Sequence, residues 1–185
     1  MAYLLMVTSD KPVAPRHVAF VLIPDYSLIA FASAIEPLRL ANQIGEQAAY
    51  HWSCHTLNGE PVRASNGLTT QPDGDLDAIG GADLVVVCAG LNVEQQRHSK
   101  ALLSRLRYLA SHGATIGAIC TGTYLLAKAG LLDNHRCTIH WENLRGFQEE
   151  FPHIEATSEL FEFDNRRVTS AGGTASLDMM LHFVA

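Results

Sequence analysis

The sequence lacks any run of Lys or Arg, any C-x-x-C pair, any long apolar segment and any low-complexity stretch. Each absence excludes a class of protein. Thirteen Lys and Arg stand against nineteen Asp and Glu, a formal net charge of −6. A surface that grips DNA or RNA must displace counterions with clustered positive charge, so this chain is not expected to hold nucleic acid by itself. Its apolar stretches fall far short of the roughly 20 residues that a membrane span requires. The opening "MAYLLMVTSDKPVAP" has neither a basic n-region nor a long apolar core, which argues against a secretory signal and for a cytoplasmic protein. Residues 1–15 are read as a loose tail or strand extension, and residues 16–185 as one domain without a linker or internal repeat.

Cysteine usage points the same way. Cys54, Cys88, Cys120 and Cys137 lie far apart, each in or beside a strand-like segment. Reduced, buried thiols are the simplest account. His51 and His55 resemble a metal-binding pair only if their segment is helical. "YHWSCHTL" is rich in residues that favour a strand, where four residues span about 13 Å, too far for one ion. No metal and no cofactor is therefore expected.

What the sequence does have is alternation. "HVAFVLI" (17–23) reads as a buried strand, and "SLIAFASAIEPLRLAN" (27–42) as a helix capped by Ser27 that Pro37 should kink or divide. "YHWSCHTL" is the next strand, and Asn66-Gly67 between short extended pieces signals a hairpin. The Val-rich "ADLVVVCAG" (82–90) suits a central parallel strand covered on both faces. A helix over 94–111 precedes the strand "ATIGAIC" (114–120) and the helix "GTYLLAKAG" (122–130). A short strand (137–140), a helix around 141–150, strands near 160–163 and 166–170, and a last helix from Thr174 complete the chain. This order predicts an α/β fold: a three-layer, flavodoxin-like sandwich around a mostly parallel sheet.

Ligands of such sheets bind beyond the carboxyl ends of the strands. Three loops leave strands there with small residues: "CAGLN" at 88–92, "CTGT" at 120–123 and "SAGGT" at 170–174. The middle one carries a nucleophile elbow. "AICTG" (118–122) is close to G-x-S-x-G with Cys120 in place of serine, a frame that aims the central side chain out over the sheet from a strained backbone. A thiolate there would gain from the following helix terminus. His140, at the end of the next strand, and Glu142 offer a base and an orienting acid.

Beyond these residues, the element order, the "AICTG" elbow and "SAGGTASLDM" resemble the ThiJ/PfpI superfamily, the class I glutamine amidotransferase-like fold. "AICTGTYLLAKAGLLDNHRCTIHW" and "VTSAGGTASLDMMLHFVA" are, more narrowly, similar to the N-terminal domain of AraC-type transcriptional regulators. The resemblance covers residues 16–185 and implies a ligand-sensing domain that pairs as a homodimer. It also implies a C-terminal helix-turn-helix domain in the full-length protein, through which alone DNA would be bound. The apolar, uncapped end "SLDMMLHFVA" fits that expectation. One departure matters. Catalytic superfamily members carry a glutamate early in the first helix, where this sequence has Ser27 and Ala30. Glu36 lies nine residues past Ser27, about 13 Å further along a helix.

The leading expectation is a small-molecule effector site over Cys120 and Thr121, between the loops at Gly90–Leu91 and Gly172–Gly173. His140 and Trp141 would wall it, and Tyr26 and Ser27 would close the other side. The resemblance implies an amino-acid derivative or a quaternary amine as effector. Two alternatives stay open. One is a cysteine-dependent hydrolase, amidase or glyoxalase-type lyase using Cys120 and His140. The other is a dimerisation module with a vestigial pocket.

Overall fold

A computed structural model describes residues 16–45, 47–96 and 99–185; the N-terminal tail assigned above lies outside them. Strand β1 (Arg16–Leu22) runs up the middle of the sheet and α1 (Leu28–Ile44) returns over one face. Strand β2 (Tyr50–Thr56), the hairpin β3 (Val62–Arg63) and β4 (Thr69–Thr70), and a short β5 (Gly74–Asp75) follow. Then come β6 (Leu84–Cys88), a 3₁₀ turn (Val93–Gln96), α2 (Lys100–Ser111), β7 (Thr115–Ile119) and α3 (Gly122–Lys128). The last third holds β8 (Arg136–Thr138), α4 (Trp141–Glu150), β9 (Glu155–Thr157), β10 (Phe161–Asp164), β11 (Arg167–Ser170) and α5 (Ala175–Val184).

Seven strands form one sheet in the order β10-β11-β7-β6-β1-β2-β5, parallel except for β10. Alternation along each strand divides the core into two. Val18, Phe20 and Leu22 of β1 join Val86 and Cys88 of β6 under α1 and α5, against Phe31, Leu38, Met179 and Met180. Ala19, Val21, Val85 and Val87 face the other way and pack on α2, α3 and α4 through Leu102, Leu106, Leu125 and Phe147. The chain passes from β2 back across β1 to β6, so the switch point lies between β1 and β6. A ligand crevice belongs at the carboxyl ends there. Among the described residues no helix is long and apolar enough to cross a membrane.

Three expectations change in detail. Pro37 does not divide α1, which continues through it to Ile44. The proline removes one N–H, but it is buried, and packing of α1 against α5 holds the helix together. The helix expected from residue 94 starts at Lys100 instead, capped by the Ser99 side chain, which accepts from the Leu102 amide at 3.4 Å. The strand expected over 137–140 spans Arg136–Thr138 and pairs with β9 outside the main sheet.

The backbone crosses closely where β7 turns into α3. A Cβ on Gly122 would stand 2.5 Å from the Val87 carbonyl oxygen. Backbone on both sides leaves no flexible atom to yield. Gly122→Ala should therefore destabilise the domain by about 1–3 kcal/mol in urea unfolding. An unchanged midpoint would mean that the elbow can open without cost.

Candidate functional site

Cys120 directly follows β7 with φ 60°, a left-handed backbone that a side-chain-bearing residue adopts rarely. Its amide donates to the Ser170 carbonyl at 2.9 Å, which pins the elbow to the end of β11. Gly172, at φ 92°, passes so close that a Cβ on it would lie 2.7 Å from the Cys120 Cβ. On the other side the Thr121 hydroxyl donates to the Gly90 carbonyl at 2.6 Å and fixes the loop after β6. Three strand ends are thus locked around one thiol.

The remaining walls are held by short hydrogen bonds. The Asp25 and Ser65 amides donate to the Arg63 and Tyr26 carbonyls at 2.9 and 3.0 Å, laying the β3–β4 hairpin beside the loop after β1. The buried Thr123 hydroxyl donates to the Thr138 carbonyl at 2.8 Å, and the Thr138 amide donates to the Thr169 hydroxyl at 2.8 Å. These threonines place β8, and His140 follows two residues later at the N-terminus of α4.

Together these elements enclose a cavity of about 380 Å³. Of the residues singled out from sequence, Ser27, Gly90, Leu91, Cys120, Thr121 and His140 line it. Ser65, Asn66, Glu142 and Asn143 line it as well. Glu142 was noted beside His140. The sequence pattern does not single out Ser65, Asn66 or Asn143 as site residues: Asn66-Gly67 signals only a turn, and Asn143 sits one residue past the H-W-E triplet.

Four expected contacts lie elsewhere. Tyr26 is fully buried in the α1-side core, and its hydroxyl shares a 2.6 Å hydrogen bond with that of Thr70. It supports the hairpin instead of closing the cavity. Trp141 is 73 % exposed and outside the lining, although its ring lies 5.8 Å from that of His140. Gly172 backs the thiol from behind, and Gly173 completes that turn; neither lines the cavity.

The electrostatics do not favour a nucleophile. Burial pushes the Cys120 thiol up from its ordinary value, a backbone hydrogen bond at Thr121 partly offsets this, and the Glu142 carboxylate adds to the rise. The helix that follows has seven residues, too short to supply the strong positive terminus expected there. Among the described residues no imidazole or carboxylate is hydrogen-bonded to the thiol. The His140 Nδ1 lies 3.8 Å from a Glu142 carboxylate oxygen, a loose pair at the cavity wall. From α1, Ser27 reaches the cavity, Ala30 is buried in the core, and Glu36 is paired with Arg39 at 2.6 Å. Among the described residues, α1 brings no carboxylate into the cavity in place of that glutamate.

This fold and elbow define a class: flavodoxin-like α/β domains with a cysteine at the strand–helix turn. The chain belongs to the DJ-1/PfpI family, whose model matches residues 16–185. It is 46% identical over 166 residues to the HTH-type transcriptional regulator CdhR of Pseudomonas aeruginosa, covering 90% of this chain and 49% of that protein. A crystal structure of an AraC family transcriptional regulator from Pseudomonas putida superposes with a TM-score of 0.81 at 28% identity, covering 92% of this chain and 91% of that one. Isonitrile hydratase of Pseudomonas putida is 28% identical over 65% of this chain and 52% of its own length. Regulators and an enzyme thus stand among the relatives. The chain spans about half the length of the curated relatives it matches.

The raised thiol has a direct readout. Alkylation of Cys120, followed by peptide mass mapping, should be slow at neutral pH and accelerate with a midpoint above that of an unperturbed thiol. Glu142→Gln should lower that midpoint, because it removes a charge that disfavours the thiolate. Fast labelling at neutral pH would show an activated nucleophile.

Proposed function

We propose that this domain is the ligand-sensing and dimerisation part of a transcriptional regulator. A small metabolite occupies the cavity over Cys120, and its binding controls DNA binding by a separate C-terminal helix-turn-helix domain of the full-length, cytoplasmic protein. The domain acts as a homodimer, which suits paired half-sites on DNA. The observation that carries this reading is the elbow itself: its geometry is kept, while burial raises the thiol and α1, whose Glu36 is paired with Arg39, brings no carboxylate to the cavity. Sequence kinship with HTH-type regulators supports the same reading.

The lining narrows the effector's chemistry. It contains the carboxylate of Glu142, one imidazole, two serines, a threonine and two asparagines, and no Lys or Arg. Such a wall suits a small polar molecule with an amino or quaternary ammonium group, as in an amino-acid derivative. The exposed position of Glu142 keeps its share small.

A thermal-shift screen of nitrogenous metabolites should find a compound that raises the melting temperature by mass action. In calorimetry with that compound, Glu142→Gln should weaken binding by about 0.5–1 kcal/mol. His140→Ala should also weaken it, while Trp141→Ala should leave it unchanged. Equal affinities for wild type, Glu142→Gln and His140→Ala would place the ligand elsewhere. Robust turnover of amides, nitriles or α-ketoaldehydes that Cys120→Ala abolishes would replace the sensor reading with an enzyme.

A further inference from the structure

The edge of the sheet opposite the Cys120 elbow frames a second cavity, of about 460 Å³. It lies at the amino ends of four parallel neighbours, β11, β7, β6 and β1, where the chain places Arg166, Thr115, Asp83 and Arg16. Backbone hydrogen bonds fix this edge. The Ile116 amide donates to the Arg166 carbonyl at 3.0 Å, the Thr115 amide to the Asp83 carbonyl at 2.9 Å, and the Asp83 amide to the His17 carbonyl at 2.9 Å. His112 walls one side, its ring stacked on Tyr108 at 3.9 Å. No residue of this lining belongs to the Cys120 cavity.

Two guanidinium groups stand here without an acceptor. Every other arginine among the described residues has one. Arg39, Arg136 and Arg145 meet glutamates, Arg63, Arg105 and Arg167 meet backbone carbonyls, and Arg107 meets the Ser104 hydroxyl. Arg16 and Arg166 make no such bond among the described residues, and both face this one cavity. A Cβ on Gly113 would lie 3.7 Å from a terminal nitrogen of Arg166, so that guanidinium rests on the cavity lining. The Arg16 guanidinium carbon lies 5.9 Å from the centre of the Phe183 ring, which lines the cavity too. Three strand spacings set the two backbones about 14 Å apart, a gap that two arginine side chains can close on one small molecule. The chain as a whole carries a net charge of −6, so this pairing of unpartnered cations is not a sample of a basic surface.

We propose that this cavity is a second ligand site, for a small molecule whose carboxylate or phosphate group is gripped between Arg16 and Arg166. The planar fork of an arginine matches the oxygens of either group with two parallel hydrogen bonds. Asp83 adds a condition. Its Oδ2 accepts from the His17 amide at 2.7 Å, which leaves Oδ1 as an acceptor at the cavity. A ligand that carries a hydroxyl or ammonium donor beside its anionic group therefore fits better than a bare anion. Malate meets that condition through its hydroxyl, and phosphate at neutral pH through the hydroxyl it retains.

Nitrogen NMR of the arginine Nε–H groups and backbone amides tests this, with inorganic phosphate or malate titrated against sodium chloride at matched low ionic strength. At least one of the two should give saturable shifts centred on Arg16, Arg166 and residues 81–83 and 113–115. Saturation by phosphate alone assigns a phosphate ligand, and saturation by malate alone a carboxylate. Arg16→Gln and Arg166→Gln, both exposed changes, should each weaken that binding about tenfold, as expected for losing a hydrogen bond to a charged group. Arg107→Gln, outside the lining, should leave it unchanged, and added salt should weaken it because both guanidinium groups are exposed. Shifts no different from those of chloride, shifts centred on the Cys120 cavity, or an affinity unchanged in both cavity variants would overturn the proposal.

Discussion

The structure depends on one backbone crossing, the turn of β7 into α3 at Cys120. The residue sits at φ 60° because glycine surrounds it on both sides: Gly122 lets α3 press on the Val87 carbonyl, and Gly172 lets the loop after β11 press on the Cys120 Cβ. Left-handed backbone at a non-glycine residue costs of order 1–3 kcal/mol and persists only where neighbours hold it. Here the neighbours are the Ser170 carbonyl, which accepts from the Cys120 amide, and the Gly90 carbonyl, which accepts from the Thr121 hydroxyl. The same contacts that hold the strain also gather the three loops into a cavity, so fold and site share one constraint.

That constraint preserves a nucleophile's position, and the proposed function takes it as a binding site. Catalysis by a thiol needs the thiolate and a group to move protons. Burial and Glu142 work against the thiolate, and α1 presents Ser27 and Ala30 to this end of the sheet. What is left is a well-ordered polar cavity with one carboxylate, one imidazole and several hydroxyl and amide groups. Under the proposed function, such a wall recognises a small polar molecule.

The central architecture was legible because β1, β6 and β7 are nearly unbroken apolar runs whose burial no other element could supply. The elbow was legible for a related reason, since alanine and glycine around a cysteine mark a close crossing. The two- and three-residue strands β5, β8 and β9 were not, or were placed with wrong bounds, because their pairing comes from tertiary neighbours and not from a local pattern. Site residues failed where adjacent side chains diverge. Ser27 faces the cavity while Tyr26 goes into the core, and His140 faces it while Trp141 turns to solvent. Ser65 and Asn66 arrive from a hairpin docked on the loop after β1 by backbone hydrogen bonds and by the Tyr26–Thr70 hydroxyl pair, neither of which a local periodicity encodes.

The most direct measurement is a crystal structure of the domain with a ligand taken from a stabilisation screen. The account predicts an intact, non-covalent molecule among Gly90, Cys120, Thr121 and His140, with its cationic group toward Glu142 and the Cys120 sulfur unmodified. A covalent adduct or a processed product on Cys120, or a ligand bound away from this cavity, would contradict it.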